Sequence, residues 1–386
     1  MRVTLVISQM TMGGAERQFS LLANAWAARG AEVTLFALEA EHPSFFELHP
    51  AVDFRCLGIV ASDAMGARKA LAIVKRPFSL RRALIDSRPE IIVSFINRVN
   101  TTTIFASLGL GVPVIAMEAT DPFVWKDTLP WRFLRACAYP LAAAVVAQTE
   151  SAAKALAGKM LGVRAVAISN PVPAADSNGG ERKGTRLVSY ARFSPEKRLD
   201  RLIAAFHLIC LKHPQWSLTI AGDGPMLPQL KKQIADLELG DRVSLPGVLR
   251  NPRDLLKDAD IFVLTSEFEG FPNTLAEAMA HGVPVISFNC KSGPAEIVRD
   301  GIDGLLIPPV DVPALARAME NLMNDEPMRL AMGKKAVEVS ERFGVEKVLS
   351  LWDDLFVKVG AQVRYDPENA SSPLGGIARG STNRTG

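Results

Sequence analysis

The sequence predicts an α/β protein made of two doubly wound, parallel-sheet domains. Three observations lead there. Its 386 residues exceed what one hydrophobic core organises. Apolar runs of strand length alternate with longer amphipathic stretches, the pattern of a parallel sheet covered by helices. Near the middle, Asn170-Pro171-Val172-Pro173 through Asn178-Gly179-Gly180 is rich in turn formers and has no periodicity, so it reads as a linker. The expected organisation is a first domain over 1–170, a linker over 171–185, a second domain over 186–345 and a closing helix over 346–365. The tail, 366–386, is too poor in apolar residues to fold and is expected to be disordered.

Taken in order, 3–7 is the first strand and Gly13-Gly14 opens a helix that ends at Gly30. A strand, a Gly-rich turn and a helix N-terminus make an anion-favouring corner, with Gly14 as a candidate contact. A plain tight turn would carry the same residues. No third glycine follows at dinucleotide spacing, which weakens a hydride-transfer reading. Further strands are expected at 32–37, 91–95, 112–117 and 144–147. The second half opens with a strand over 186–191. Arg192-Phe193-Ser194-Pro195-Glu196-Lys197 then turns into a helix, with Ser194 and Pro195 as cap and first-turn residues. Lys197 in that first turn would oppose the helix dipole unless an anion lies nearby. A strand at 218–221 leads to Gly222-Asp223-Gly224-Pro225, where chain reversal alone explains the glycines. A strand at 243–245 leads to Gly247-Val248-Leu249-Arg250. Strands at 261–264 and 283–287, a turn into a short strand over 301–307, and helices from 313 to about 359 complete the chain.

Composition narrows the function classes. With 48% hydrophobic and 22% charged residues the chain is of soluble globular type. No apolar run reaches the roughly 18 residues of a spanning helix. The opening Met1–Ser8 stretch lacks a signal-peptide core, so a cytoplasmic location is expected. Cys56, Cys137, Cys210 and Cys290 stand far apart without metal spacing and read as reduced packing residues. Residues 1–170 carry net charge +5 and the remainder −2. No aromatic-studded basic ribbon accompanies the positive half, which argues against nucleic acid. The segment from Arg68 to Arg88 is basic and amphipathic, interrupted at Pro77. A solvated surface helix explains it; so does docking on an anionic membrane.

The chemistry concentrates at Ser266-Glu267-Phe268-Glu269-Gly270-Phe271-Pro272-Asn273-Thr274-Leu275-Ala276-Glu277. Two glutamates eight positions apart follow a buried strand, at the sheet edge where open α/β folds bind ligands. Thr274 and Glu277 also fit a capping box, which needs no ligand. Nothing local explains Glu269. Gly270 lets backbone approach closely, and N–H groups around Asn273, Thr274 and Leu275 favour an anion. A phosphate flanked by carboxylates that accept sugar hydroxyls describes a nucleotide-sugar site.

This stretch resembles the E-x7-E motif of the retaining GT-B glycosyltransferases of the family-4 group. The resemblance extends from Gly13-Gly14-Ala15-Glu16 to Gly301-Ile302-Asp303-Gly304-Leu305. It implies a GT-B architecture, two Rossmann-like domains facing a cleft, with the last helix crossing back to the first domain. It also implies transfer of a hexose or N-acetylhexosamine from a nucleotide diphosphate sugar, UDP-linked by family habit, with retention of anomeric configuration. Arg192 and Lys197 match the pair that grips the donor diphosphate. Glu269 joins them in catalysis, while Gly14, Gly222, Arg250, Gly270, Phe271, Asn273, Thr274, Leu275 and Glu277 line the donor site. No metal or other cofactor is implied; Asp258-Ala259-Asp260 reads as structural. Many relatives carry a strand-end histidine where this chain has Glu118. Met117-Glu118-Ala119-Thr120-Asp121-Pro122 is instead similar to a subgroup that extends lipid-linked or capsular glycans. That makes Glu118 a candidate catalytic group and a glycan or polyprenyl-linked molecule the expected acceptor, although capping or turn roles would also account for Glu118 and Asp121. The enzyme is then expected in the cytoplasm or on the inner face of the cytoplasmic membrane. Two rivals remain: a nucleotide-sugar epimerase of the same fold, and a degenerate nucleotide-binding module.

Overall fold

The computed structural model describes residues 1–11, 13–39, 43–60, 67–119, 128–175, 185–249, 251 and 253–366. The chain forms two compact units, Met1–Pro171 together with the chain from Val345 onward, and Val172–Gly344.

The first unit holds seven strands: β1 (Arg2–Ile7), β2 (Glu32–Glu39), β3 (Val52–Val60), β4 (Ile91–Phe95), β5 (Val114–Glu118), β6 (Ala144–Ala147) and β7 (Ala165–Ala167). They are ordered β3-β2-β1-β4-β5-β6-β7, with every pairing parallel. β4 and β5 are buried along their whole length, as expected of central strands covered on both faces. Sequence reading missed β3 and β7, both at sheet edges. β3 does alternate, with Val52, Phe54 and Cys56 less exposed than Asp53 and Arg55 between them; the three residues of β7 are too short to show a period. The helix Ala67–Ser87 runs through Pro77 without the expected interruption.

The helix Val345–Lys358 belongs to this first unit. Trp352 packs edge-on against Trp26, ring centroids 5.6 Å apart, and Phe356 lies beside both rings. Arg29 pairs with Glu346 and, at 3.0 Å, with Asp353, and the Met1 ammonium donates to Arg364 O at 2.6 Å. Gly30, with φ of +89°, lets the backbone of Asp366 approach; a Cβ there would stand 2.1 Å from Asp366 O. The expected disordered tail, apart from Asp366, lies outside the described residues, as do Thr120, Asp121, Arg250 and most of the linker.

The second unit holds β8 (Arg186–Tyr190), β9 (Ser217–Ala221), β10 (Val243–Ser244), β11 (Ile261–Leu264), β12 (Val285–Phe288) and β13 (Gly304–Ile307). Their order is β10-β9-β8-β11-β12-β13, again all parallel. Asp260, just before β11, is buried and accepts from Thr185 N at 2.8 Å and Arg186 N at 3.0 Å, fixing where β8 begins. In each sheet the strand order reverses at one pair, β1/β4 in the first and β8/β11 in the second. The loops leaving the carboxyl ends of such a pair diverge and leave a crevice for a ligand.

Candidate active site

The two loops that diverge in the second unit follow β8 and β11, and they are tied together. Thr265 Oγ1 donates to Lys197 O at 2.9 Å, and Glu267 N donates to Glu196 O at 2.8 Å. Across them Lys197 Nζ donates to Glu269 Oε1 at 2.7 Å, with both side chains mostly buried. Lys197 reaches this place by a route other than the expected one. It ends a short 3-10 turn, Pro195–Lys197, and the helix Leu199–Ile209 starts only after Arg198, which adopts a left-handed φ of +48°. The unfavourable helix-dipole argument therefore does not apply; the ion pair holds the lysine.

Glu269 is fixed from its backbone as well. Ser292 Oγ, in the loop after β12, donates to Glu269 O at 2.6 Å. Beside it Gly293 has φ of +100°, and a Cβ there would stand 2.8 Å from Pro272 Cδ and 3.1 Å from Gly270 O. The close backbone approach expected of Gly270 thus rests on Gly293, while Gly270 and Phe271 are buried and Phe271 packs edge-on against Phe343.

The helix Asn273–Ala280 follows, with Pro272 at its N-cap and no side-chain cap. The Thr274–Glu277 capping box does not form, because the N-cap is Pro272, two residues before Thr274. Glu277 lies in its second turn, buried, and accepts from the Tyr190 hydroxyl at 2.6 Å. Asn273 and Thr274 lie half-exposed at the helix start, and Leu275 points into the core. The first N–H groups of a helix lack intrahelical acceptors, so this end favours an anion. Arg192 is exposed and makes no ion pair among the described residues. Cys290 was not anticipated here: burial, reinforced by the Glu269 charge, pushes its thiol up to about 11.

Gly222 supports this edge. With φ of +141°, a Cβ there would lie 1.9 Å from Ala191 O, and its N–H donates to Gly247 O at 2.8 Å. It locks the β8 and β9 loops together, a structural task that the weak reading of the turn had allowed.

Gly14 and Glu118 belong to the first unit, at the carboxyl ends of β1 and β5. Gly14 is the exposed first residue of the helix Gly14–Ala28. Glu118 is 5% exposed and accepts a hydrogen bond from the Tyr139 hydroxyl. Asn100 Nδ2 donates to Met117 O at 2.9 Å and lies 3.4 Å from Glu118 Oε1, and Ser94 Oγ donates to Asn100 Oδ1 at 2.8 Å. Ile96, between these groups, holds a positive φ of +76° that a β-branched residue rarely adopts. The candidate carboxylate of Glu118 is therefore buried and set in a polar network. Among the described residues no three His, Cys, Asp or Glu side chains gather as a metal site, and no helix is long and apolar enough to cross a membrane.

Two family matches divide the chain at the same place as the fold. Residues 13–171 match the glycosyl transferase 4-like domain, and residues 175–339 match glycosyl transferases group 1. The chain belongs to the group 1 glycosyltransferases, and its two parallel-sheet units are those of the GT-B fold. An exopolysaccharide phosphotransferase of Streptomyces coelicolor is 38% identical over 56% of this chain, a match spanning only 23% of that protein. A Campylobacter jejuni α-1,4-N-acetyl-D-galactosaminyltransferase acting on an undecaprenyl-diphosphate-linked glycan is 28% identical over 93% of this chain and 99% of its own length. The crystal structure of Anabaena HepE in complex with UDP superposes with a TM-score of 0.72 at 18% identity, covering 92% of this chain and all of that one.

Proposed function

We propose that this enzyme moves a hexose or N-acetylhexosamine from a UDP-linked donor to a glycan acceptor carried on a lipid, during assembly of a surface polysaccharide, with retention of anomeric configuration. One observation carries the reading. Lys197, Glu269, Glu277 and the uncapped start of the helix Asn273–Ala280 converge on the crevice between the β8 and β11 loops. A diphosphate suits the cationic and N–H components, and sugar hydroxyls suit the two carboxylates. The UDP bound by HepE and the lipid-linked substrate of the C. jejuni relative support the choice of donor and acceptor.

In this reading the bond between the anomeric carbon and the diphosphate breaks as a bond to the acceptor oxygen forms. The acceptor's hydroxyl proton passes to the departing phosphate. Arg192, Lys197 and the helix N-terminus offset the negative charge that develops on the leaving group, without a metal. Glu269 and Glu277 orient the donor by accepting hydroxyl hydrogen bonds. Glu118, buried and bonded by Tyr139, acts as a positioning group on the acceptor side rather than as a residue in contact with sugar. The same reading gives the basic first unit an anionic membrane surface as its neighbour.

The test is the heat-denaturation midpoint against a panel of nucleotide diphosphates and nucleotide sugars, for the wild type and Lys197→Ala. Native-state binding raises stability by about 2.7 kcal/mol at a hundredfold excess over Kd. A shift with uridine nucleotides, lost in Lys197→Ala, is expected. No shift with any donor would leave only a degenerate binding module, and donor interconversion without acceptor would point to an epimerase.

A further inference from the structure

The turn Gly301-Ile302-Asp303-Gly304, noted in the sequence, has no part in the chemistry described so far, yet it carries a fully buried carboxylate. Asp303 Oδ1 accepts from Arg299 N at 2.7 Å. Its Oδ2 accepts from Arg299 Nε at 2.7 Å and from Arg342 Nη2 at 3.3 Å. A carboxylate taken out of water is costly unless charged donors meet it, and two arginines do so here. Arg299 also reaches Glu338 Oε2 at 2.8 Å, and Lys335 Nζ holds Glu338 Oε1 at 2.9 Å. The segment from Lys335 to Arg342 is thereby clamped to this turn.

That segment ends where the chain leaves the second unit, after Gly344. Phe343 is fixed at this exit from several sides. The Arg342 guanidinium lies 5.3 Å from its ring centroid, and its carbonyl accepts from Val172 N at 2.8 Å, the residue by which the chain enters the unit. A side chain in place of Gly344 would strike Ser340 O, so the turn out of the helix Val339–Phe343 is tight. The Phe343 ring stands edge-on to Phe271, with centroids 5.5 Å apart and planes at 74°. Phe271 is 5% exposed and lies two residues after Glu269. Lys197 and Ser292 hold Glu269 by its carboxylate and its carbonyl. Phe343 holds the same loop two residues further on, just before the helix that carries Glu277.

We infer that Phe343 is a positioning residue for sugar transfer. Braced by Arg342 and the buried Asp303, it fixes Phe271 and, through it, the loop that presents Glu269. The segment by which the chain leaves the second unit therefore sets where that carboxylate meets the donor. The inference rests on the donor-orienting role proposed for Glu269. A misplacement of about 1 Å at such a group costs on the order of 100-fold in rate.

Hydrogen exchange of the full chain, without donor or acceptor, tests the brace by itself. Phe343→Leu keeps an apolar side chain but loses the ring edge. It should speed exchange across residues 268–276 severalfold and leave residues 217–221, on β9, unchanged. Ile209→Val, in a separate apolar cluster, controls for lost stability alone. Unchanged protection of 268–276 in Phe343→Leu would overturn the inference. In transfer assays Phe343→Leu should lower kcat about tenfold or more. The donor KM and UDP affinity should stay within about twofold, because Lys197 and Arg192 still meet the diphosphate. Phe271→Leu should behave alike, and the double variant should be no worse than either single one. A comparable fall in kcat in Ile209→Val, or losses that multiply in the double variant, would mark Phe343 as ordinary packing. A wild type that neither binds UDP nor transfers sugar would instead count against the transferase reading, and hydrogen exchange would still decide whether Phe343 fixes the loop.

Discussion

A diphosphate that recruits Lys197 must compete with Glu269 for the same ammonium, and this makes substitutions of the two residues act with opposite signs. Lys197 Nζ lies 2.7 Å from Glu269 Oε1, with side chains 22% and 12% exposed. A hydrogen bond to a charged group contributes about 1.5–3 kcal/mol. Lys197→Met removes that interaction from the bound nucleotide, so UDP affinity should fall roughly 10- to 100-fold. Glu269→Gln removes the competitor's charge while keeping a side chain of the same shape. UDP affinity should then hold or rise, by up to about tenfold if around 1.4 kcal/mol of pairing no longer has to be exchanged. Sugar transfer should nevertheless collapse, because a carboxylate that orients the donor is gone. Both variants lose the pair in the free protein, and a cost near 1 kcal/mol should lower the melting midpoint by roughly 2–4 °C. Isothermal titration with UDP, with steady-state transfer alongside, reads these effects separately. Equal loss of UDP affinity in the two variants would refute the competition and mark the pair as a purely structural strut.

Tyr190→Phe deprives the buried Glu277 carboxylate of its 2.6 Å donor; stability should drop by about 1–3 kcal/mol, and donor affinity should fall with it, as denaturant titration and calorimetry would measure. Gly222→Ala would force a Cβ against Ala191 O at a φ of +141°, so loss of several kcal/mol or of soluble expression is expected, while Gly240→Ala, with open space around it and no left-handed φ, should cost far less. Cys290 keeps its proton up to about pH 11, whereas the unfolded chain ionises near 9.0, so its contribution is intact below pH 9 and is lost as pH rises. The loss should amount to about 2–3 kcal/mol by pH 11 and be missing from Cys290→Ala, as urea midpoints across that range would reveal.

Both sheets were legible because their central strands are buried on two faces and so read as unbroken apolar runs: residues 91–95, 144–147 and 261–264 were bounded as observed. The first sheet's edges, β3 and β7, were not, since a three-residue strand such as β7 has no period to detect, whereas the second sheet's edges, β10 and β13, were expected at 243–245 and 301–307. Glu269 was visible for the opposite reason, as a charge that no local pattern needed, whereas Glu277 also fitted a capping box. Their partners were hidden. Tyr190 occupies a buried strand position and reads as one more core aromatic, yet its hydroxyl is what fixes Glu277. Ser292 and Cys290 come from a loop some twenty residues later, and only the β11–β12 pairing brings that loop beside Glu269.

The eight-residue spacing of the two glutamates is not a helical repeat, although part of it lies on a helix. Glu269 sits in the loop four residues before the helix begins, anchored by Ser292 and Lys197. Glu277 is the fifth helical residue, anchored by Tyr190 on β8. The spacing is therefore the sum of one loop length and one turn of helix, with each carboxylate held by a different part of the sheet edge. A capping box would need Thr274 at the N-cap, with Glu277 turned back to its N–H. Instead the N-cap is Pro272, whose carbonyl accepts from Leu275 N and Ala276 N at 3.1 Å, and Glu277 stays bonded to Tyr190.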